Sequence, residues 1–185
     1  MPFVIFLVVV GLILAFAIVA YNRLVSLSQR SDEAWSDVDV QLKKRSDLVP
    51  NVVETVKGYA AHERNTFDAV VRARGAAVAA TNPEARAQAE GQLSQALRQL
   101  FAVAEAYPEL KASANFQSLQ GTLTDIENNI QEARRYYNAV VRDLNTMVDT
   151  FPSNLIASFF RFVKRTYFEP DQPEDRQVPR VSFGS

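Results

Sequence analysis

The feature that most constrains this chain is an uncharged apolar run close to its amino terminus. The run reads FVIFLVVVGLILAFAIVA and covers the 18 residues from Phe3 to Ala20. As a helix it would be roughly 27 Å long, and the hydrocarbon core of a bilayer is ~30 Å thick. The sequence therefore predicts a transmembrane anchor over residues 1–20.

A cleaved signal peptide is the competing interpretation, with Ala15 and Ala17 as the small residues before a cut. A leader usually carries Lys or Arg ahead of its apolar segment, and that segment is usually shorter than this one. No Lys or Arg precedes Phe3, and the run continues past both alanines. These observations favour an anchor that is retained.

The flanking cations predict which way the anchor points, because Lys and Arg are retained on the cytoplasmic side. Arg23, Arg30 and the basic residues 43–45 follow the run, and only Met1 and Pro2 precede it. We expect a single-pass membrane protein with its soluble domain in the cytoplasm. Nearby acidic residues dilute the signal, so an extracytoplasmic domain remains the alternative.

After Ala20 the apolar residues recur at steps of three and four, which indicates helices rather than strands. The clearest stripe predicts one long heptad-patterned helix that packs like a coiled coil. Its ten positions are Phe116, Leu119, Leu123, Ile126, Ile130, Ala133, Tyr137, Val140, Leu144 and Met147. The fold class predicted for residues 21–168 is an all-α, antiparallel helical bundle.

Prolines predict where the helices break. Pro50 is either a kink or the start of a new helix, which gives three long helices or four main ones, and we favour four. Thr81–Pro83 should end one helix and cap the next, and Tyr107–Pro108 should form another turn. A short last helix should end near Phe168, and residues 169–185 should form an extended tail that contains prolines. With no breaker at residues 21–27, the anchor helix should continue into the bundle.

The segment from Leu155 to Arg165 combines aromatic residues with cations. This composition suits a helix that lies at the membrane interface. It also suits a cap for the bundle core, made by Phe159, Phe160 and Val163. We favour the cap, because the end of the bundle has to be closed.

Composition excludes several kinds of chemistry. The chain has no cysteine, which rules out disulfides, thiol nucleophiles, thiolate metal sites and a lipid-modified cysteine. A net charge of −1 gives no indication of nucleic-acid binding. His62 is the only histidine and lacks the second histidine of a zinc-protease motif. We therefore predict no cofactor, no metal and no catalytic residue.

Polar residues on or beside the apolar stripes must find partners if they are buried. The most informative are Gln41, Arg45, Asp47, Glu63, Arg74, Glu127 and Arg134. One interpretation is internal ion pairs that fix the register of the helices. The other is a contact surface between subunits or with another membrane protein.

Several segments together resemble the LemA family of bacterial membrane proteins. They are YNRLV at 21–25, EAWSDVDVQLKKRSDLVPNVVETVKGYAAHE at 33–63, AEAYPELKASANFQSLQ at 104–120 and IENNIQEARRYYNAVVRDLN at 126–145. The resemblance implies an amino-terminal membrane anchor and a helical bundle in a family without an established enzymatic activity. Relatives are implicated in magnetosome membrane formation, and members are often encoded near a membrane metalloprotease of the HtpX type.

The positions that match the family's motifs are structural or interaction candidates. They are Tyr21, Asn22, Trp35, Asp39, Gln41, Arg45, Asp47, Pro50, Asn51, Tyr59, His62, Glu63, Glu105, Tyr107, Pro108, Lys111, Phe116, Glu127, Arg134, Tyr137 and Asn138. The favoured function is a non-enzymatic, membrane-tethered helical scaffold that self-associates, as a homo-oligomer in the lipid bilayer, or recruits another membrane protein. An adaptor of an HtpX-type metalloprotease and an envelope enzyme acting on lipid or peptidoglycan, working through His62, Glu63 or Glu105, are the alternatives.

Overall fold

The computed structural model describes residues 1–169, and this part of the chain consists of helices joined by turns. The helices are α1 (Pro2–Lys57), α2 (Arg64–Ala79), α3 (Pro83–Glu105), α4 (Pro108–Ala112), α5 (Ala114–Asp149) and α6 (Ser153–Phe159). The all-α prediction is confirmed. Nearly all of the tail predicted over residues 169–185 lies outside the described residues.

Helix α1 is the one described helix that is long and apolar enough to cross a membrane. It continues without interruption from the apolar run past Tyr21, as predicted. The first twenty residues are almost wholly exposed, whereas later positions such as Leu24, Val38 and Leu42 are buried. The same helix therefore changes from an apolar rod exposed on all sides to an amphipathic core helix.

The chain divides into two compact units. The first unit contains residues 1–42 and 126–167, and the second contains residues 43–125 together with residues 168 and 169. In the first unit Leu24, Leu27, Leu144 and Ala157 form a buried apolar cluster. Burying a side chain the size of leucine stabilises the folded state by about 1.5–3 kcal/mol, so this cluster anchors α6 to its own unit.

The second unit is held by a larger apolar core. Its buried residues include valines 49, 52, 53 and 56 of α1, Phe67 and Val70 of α2, and Leu93, Leu97 and Leu100 of α3.

The start of α3 follows the predicted pattern. Asn82 is the N-cap, its side chain accepts a hydrogen bond of 2.8 Å from the amide of Ala85, and Pro83 occupies the first turn.

The break favoured at Pro50 is wrong, because α1 continues through this residue to Lys57. A proline inside a helix lacks the N–H that would bond to the carbonyl four residues earlier, which here is the carbonyl of Ser46. That carbonyl instead accepts a hydrogen bond of 2.7 Å from Nε of Arg74 in α2. A side chain from the next helix thus replaces the missing donor, and the chain turns only after Lys57.

The end of the last helix was also predicted incorrectly. Helix α6 ends at Phe159 and not near Phe168. The expectation that Phe159, Phe160 and Val163 close the core is wrong too, since all three are exposed. The core of this unit is closed by smaller or deeper side chains, Ala157 among them, with Ile156 and Phe162 packed against it.

Candidate functional site

The most deeply buried polar group among the candidates is the guanidinium of Arg45 in the second unit. Its side chain is only 2% exposed, and its Nη2 pairs with the Oε2 carboxylate oxygen of Glu90, which is 5% exposed. Nη1 also donates to the hydroxyl of Ser94 at 2.9 Å, and Nη2 lies 3.4 Å from the carbonyl oxygen of Glu90. Arg45 therefore joins α1 to α3 through a charged, largely satisfied contact.

Glu90 also faces a second cation, Arg86 of its own helix. The Nε of Arg86 lies 3.2 Å from Glu90 Oε1, one helical turn away. Two guanidinium groups thus surround one buried carboxylate. A carboxylate held by cations of two helices is suited to fixing the register of α1 against α3.

Sequence reasoning missed Glu90 and Arg86, although a signal for both was present. Arg86, Glu90 and Leu93 are spaced by four and three residues, and the same spacing continues through Leu97 and Leu100. The polar pair therefore occupies the apolar seam of α3. A glutamate on such a seam needs a buried cation as partner, and Arg45 was the candidate.

In the first unit the candidate residues meet around Tyr137 of α5. Its ring lies 5.4 Å from that of Trp35 in α1, measured between centroids. Its hydroxyl donates a hydrogen bond of 2.9 Å to the carbonyl of Thr166. Tyr137 therefore packs on α1 and at the same time holds the segment that follows α6.

Arg165, which sequence reasoning missed, lies in that same segment. Its guanidinium pairs with the carboxylate of Asp32 and donates to the hydroxyl of Ser28 at 3.1 Å. Its backbone is held by Asn145, whose side chain accepts from the Arg165 amide at 2.8 Å and donates to the Arg165 carbonyl at 2.9 Å. Asp32 and Arg165 are 133 positions apart, and no periodic pattern in the sequence joins them.

Two titratable groups of this cluster, Tyr137 and Arg165, have a raised pKa. Burial raises the pKa of Tyr137; the positive charge of Arg165 opposes this rise and the negative charge of Asp32 adds to it. The hydrogen bond to Asp32 raises the pKa of Arg165. The phenol therefore stays neutral and acts as a hydrogen-bond donor well into alkaline conditions.

The remaining candidates are divided between the two units. The exposed ones are Tyr21, Asn22, Asp39, Asp47, Pro50, Asn51, Tyr59, His62, Glu105, Pro108 and Lys111. The partly buried ones are Gln41, Glu63, Tyr107, Glu127, Arg134 and Asn138, and Phe116 is a buried core residue. Asp47 forms a surface ion pair of 2.8 Å with Lys43. Among residues 1–169, no three His, Asp or Glu side chains are grouped so that they could hold a metal ion.

Comparison with known proteins places these features in a family. The LemA family model matches residues 34–183. Two magnetosome proteins of Paramagnetospirillum magneticum, MamQ 1 and MamQ 2, are each 23% identical to the chain over an alignment of 191 positions, which covers 89% of this chain and 70% of theirs. Magnetosome protein MamQ of Magnetospirillum gryphiswaldense is 21% identical over an alignment of 184 positions, which covers 85% of this chain and 68% of that protein.

The family match begins at Ala34, beyond the apolar run, and covers most of the rest of the sequence. It includes Trp35, Arg45 and Tyr137, the candidates around which the two polar clusters form. Together with the exposed apolar helix at its amino terminus, the match identifies a membrane-associated helical protein. The resemblance stated from the sequence is confirmed, and the chain belongs to the LemA family.

Proposed function

We propose that this protein is a non-enzymatic helical scaffold, tethered to the bacterial cytoplasmic membrane by a single span, that self-associates or recruits partners there. The observation that supports this most directly is α1, which runs unbroken from Pro2 to Lys57. A continuous helix transmits position and orientation, whereas a flexible linker does not. The packed residues that follow the span are thereby held at a fixed height above the bilayer.

The nature of the polar clusters supports a non-enzymatic role. Glu90 and Arg45 pair with each other, and the hydroxyl of Tyr137 donates its hydrogen bond to a backbone carbonyl. His62, the only histidine, is exposed in the turn between α1 and α2. These groups stabilise helices and do not present a nucleophile beside a base, which hydrolytic chemistry requires.

Self-association would have to use a surface other than the heptad seam of α5. The seam positions Ile130, Tyr137, Val140 and Leu144 are buried within the chain itself. An exposed apolar pair lies elsewhere, at Val71 and Val78 of α2, which are 60% and 55% exposed. Residues seven apart share one helix face, so this face of α2 is where we expect copies to touch.

Size measurement of the full chain in nanodiscs and in mild detergent, combined with lysine crosslinking in membranes, tests the scaffold. We expect an oligomer that is weakened by Val71→Lys with Val78→Lys. Gln95→Lys with Gln99→Lys adds the same charge at exposed positions of α3 and serves as the control. A clean monomer in both media, with no crosslinked partner in membranes, would contradict the proposal.

The cytoplasmic side of the membrane is part of the proposal, because Lys and Arg follow the span. A reporter fused to the carboxyl terminus, or protease protection in intact and opened cells, measures the side directly.

The recruitment of a partner can be tested with an HtpX-type metalloprotease, a candidate partner for this family. Substrate turnover by that protease should change when the gene for this chain is deleted, and unchanged turnover would exclude the adaptor role.

A further inference from the structure

Helix α6 and the residues after it leave large apolar side chains uncovered. Leu155, Phe159, Phe160 and Val163 are 61%, 80%, 51% and 74% exposed, and we call these four residues the α6 surface. Within residues 22–169, six of the eleven exposed large apolar side chains lie between positions 151 and 167. Such a concentration is typical of a surface that is covered in the working protein.

The α6 surface adjoins the end of the membrane span. The ring of Phe160 lies 4.5 Å from that of Tyr21, and the ring of Phe162 lies 6.0 Å from it. Tyr21 directly follows Ala20, the last residue of the apolar run. Phe159 packs edge-on against Phe160 at 5.0 Å, so the apolar surface of the span continues sideways onto α6.

The turn after α6 determines which side chains face outward. Arg161 has a φ of 61°, and the amides of Arg161 and Phe162 bond to the carbonyls of Ser158 and Ala157 at 3.3 and 2.9 Å. This is a Schellman turn, whose left-handed position is usually occupied by glycine. An arginine there costs about 1 kcal/mol. The turn brings Phe162 against the core and leaves Val163 exposed, with an exposed cation between Phe160 and Phe162.

We propose that the α6 surface lies in the boundary between headgroups and acyl chains of the same bilayer that α1 enters. Aromatic rings are favoured at this depth, and long cationic side chains reach from it to the lipid headgroups. Arg161 and Arg23 supply such cations, whereas Lys164 is already paired with Asp149 at 3.1 Å. The attraction is therefore mainly apolar and does not require an anionic lipid.

The inference rests on the proposed membrane span and adds a second attachment to it. One helix crossing a bilayer leaves the attached residues free to tilt and to rotate about the helix axis. A second, lateral contact through α6 removes part of that freedom for the first unit. The lipid is favoured over a second copy of the chain as the occupant because the surface is continuous with the span through the Tyr21–Phe160 contact.

Spin labels on single cysteines test this in the full chain, which has no cysteine of its own. We would label Phe159→Cys and, as a second reporter, Val163→Cys, in phosphatidylcholine nanodiscs. Leu12→Cys is the reference within the span. Tyr136→Cys is the control, because Tyr136 is 54% exposed and lies far from the span. Its neighbour Tyr137 packs on Trp35, which is about 22 Å along α1 from Ala20. The measurement is collision with oxygen, which concentrates in lipid, against collision with a water-soluble nickel chelate.

The expected result is a ratio of oxygen to nickel collisions at Phe159 and Val163 that is shifted from the value at Tyr136 toward that at Leu12. If both labels collide with nickel as often as Tyr136 while Leu12 reports lipid, the α6 proposal is wrong and the span stands. If Leu12 also reports water, the span fails and the α6 proposal fails with it. Dipolar broadening between labels at Phe159 would show a second copy on this surface and would overturn the lipid assignment.

Discussion

Arg45 and Arg165 are each paired with a carboxylate, but their surroundings are opposite. The side chains of Arg45 and Glu90 are 2% and 5% exposed, whereas those of Arg165 and Asp32 are 29% and 66% exposed. Removing one partner of a buried pair leaves an uncompensated charge in a poorly polarisable interior. Removing one partner of an exposed pair leaves a charge that water solvates. The same residue types therefore contribute very differently to stability in the two units.

The two arginines also differ in the parts of the chain that they hold in place. Arg45 joins two long helices of the second unit, α1 and α3, through its side chain alone. Arg165 belongs to the non-helical segment after α6, and this segment is held mainly through its backbone by Asn145 and Tyr137. In the first unit neutral hydrogen bonds fix the chain, and the ion pair is added to them.

The largest effect is expected for Glu90→Gln, which removes the charge opposite Arg45. Loss of one partner of a buried ion pair typically costs about 3–5 kcal/mol, and we expect the free energy of unfolding to fall by that amount. Urea unfolding of the full chain in mild detergent, followed by circular dichroism, measures it. Glu84→Gln, an exposed position of the same helix, is the matched control.

Replacing both charges tests whether the cost comes from the orphaned cation. The double variant Arg45→Met with Glu90→Leu fills a similar volume with apolar atoms, and such exchanges are often neutral or stabilising. We expect it to be more stable than Glu90→Gln alone. A loss in Glu90→Gln no larger than in Glu84→Gln would show that the Arg45 contact is not the buried, coupled pair described above.

A smaller loss in the free energy of unfolding is expected when the hydrogen bond that replaces the missing donor of Pro50 is removed. Arg74→Met should cost about 1–3 kcal/mol, because it leaves the Ser46 carbonyl without a donor. In a Pro50→Ala background the new amide can bond to that carbonyl, so the same substitution should cost about 1 kcal/mol less. A double-mutant cycle measures this coupling.

The control for this cycle is Arg72→Met, at an exposed position of the same helix. We expect it to have the same small effect in both backgrounds. An equal cost for Arg74→Met with and without Pro50 would mean that the arginine does not replace the missing helix donor.

These two sites show how far the sequence could predict the fold. The uninterrupted apolar helix at the amino terminus, the buried seam of α5 and the Asn82 cap were predicted correctly because each depends on residues a few positions apart. Continuation through Pro50 could not be predicted, because the compensating donor lies 28 positions away in the next helix. A rule based on neighbouring residues includes the hydrogen bond that Pro50 removes but not the one that Arg74 supplies.

The candidate site was less predictable than the fold for a related reason. Family resemblance selected Arg45 and Tyr137, but Glu90, which pairs with Arg45, and Thr166, whose carbonyl accepts from Tyr137, are distant in sequence. Glu90 could have been found, since it occupies a seam position of α3. The exposure of Phe159 and Phe160 could not have been predicted, because the same aromatic run is expected whether protein or lipid covers it.

The third prediction concerns Tyr137, the neutral group of the first unit. Its pKa is raised, so in the unfolded chain the phenol loses its proton first, near its ordinary pKa of about 10. Between that pH and the folded pKa the native state binds more protons, and stability must fall as pH rises. Tyr137→Phe should cost about 1 kcal/mol at pH 8, through loss of the bond to Thr166, and this difference should shrink above about pH 10.

The neighbouring Tyr136→Phe variant separates this effect from general alkaline destabilisation, because Tyr136 is exposed. Urea unfolding at pH 8, 10 and 11 gives the comparison. We expect the difference from wild type to change with pH for Tyr137→Phe and to stay constant for Tyr136→Phe. A constant difference for both would contradict a raised pKa of Tyr137 in the folded state.

The smallest effect is expected for Asp32→Asn, which removes the exposed partner of Arg165. Pairs of this kind contribute about 0.2–1 kcal/mol, and salt screens them. Asn145→Ala should cost more, although it removes no charge, because it deletes two hydrogen bonds to the backbone of Arg165. Unfolding at low and at 1 M salt distinguishes the two, since only the Asp32 effect should shrink with salt. If Asp32→Asn costs as much as Asn145→Ala at both salt concentrations, the ion pair, and not the amide, fixes the segment that follows α6.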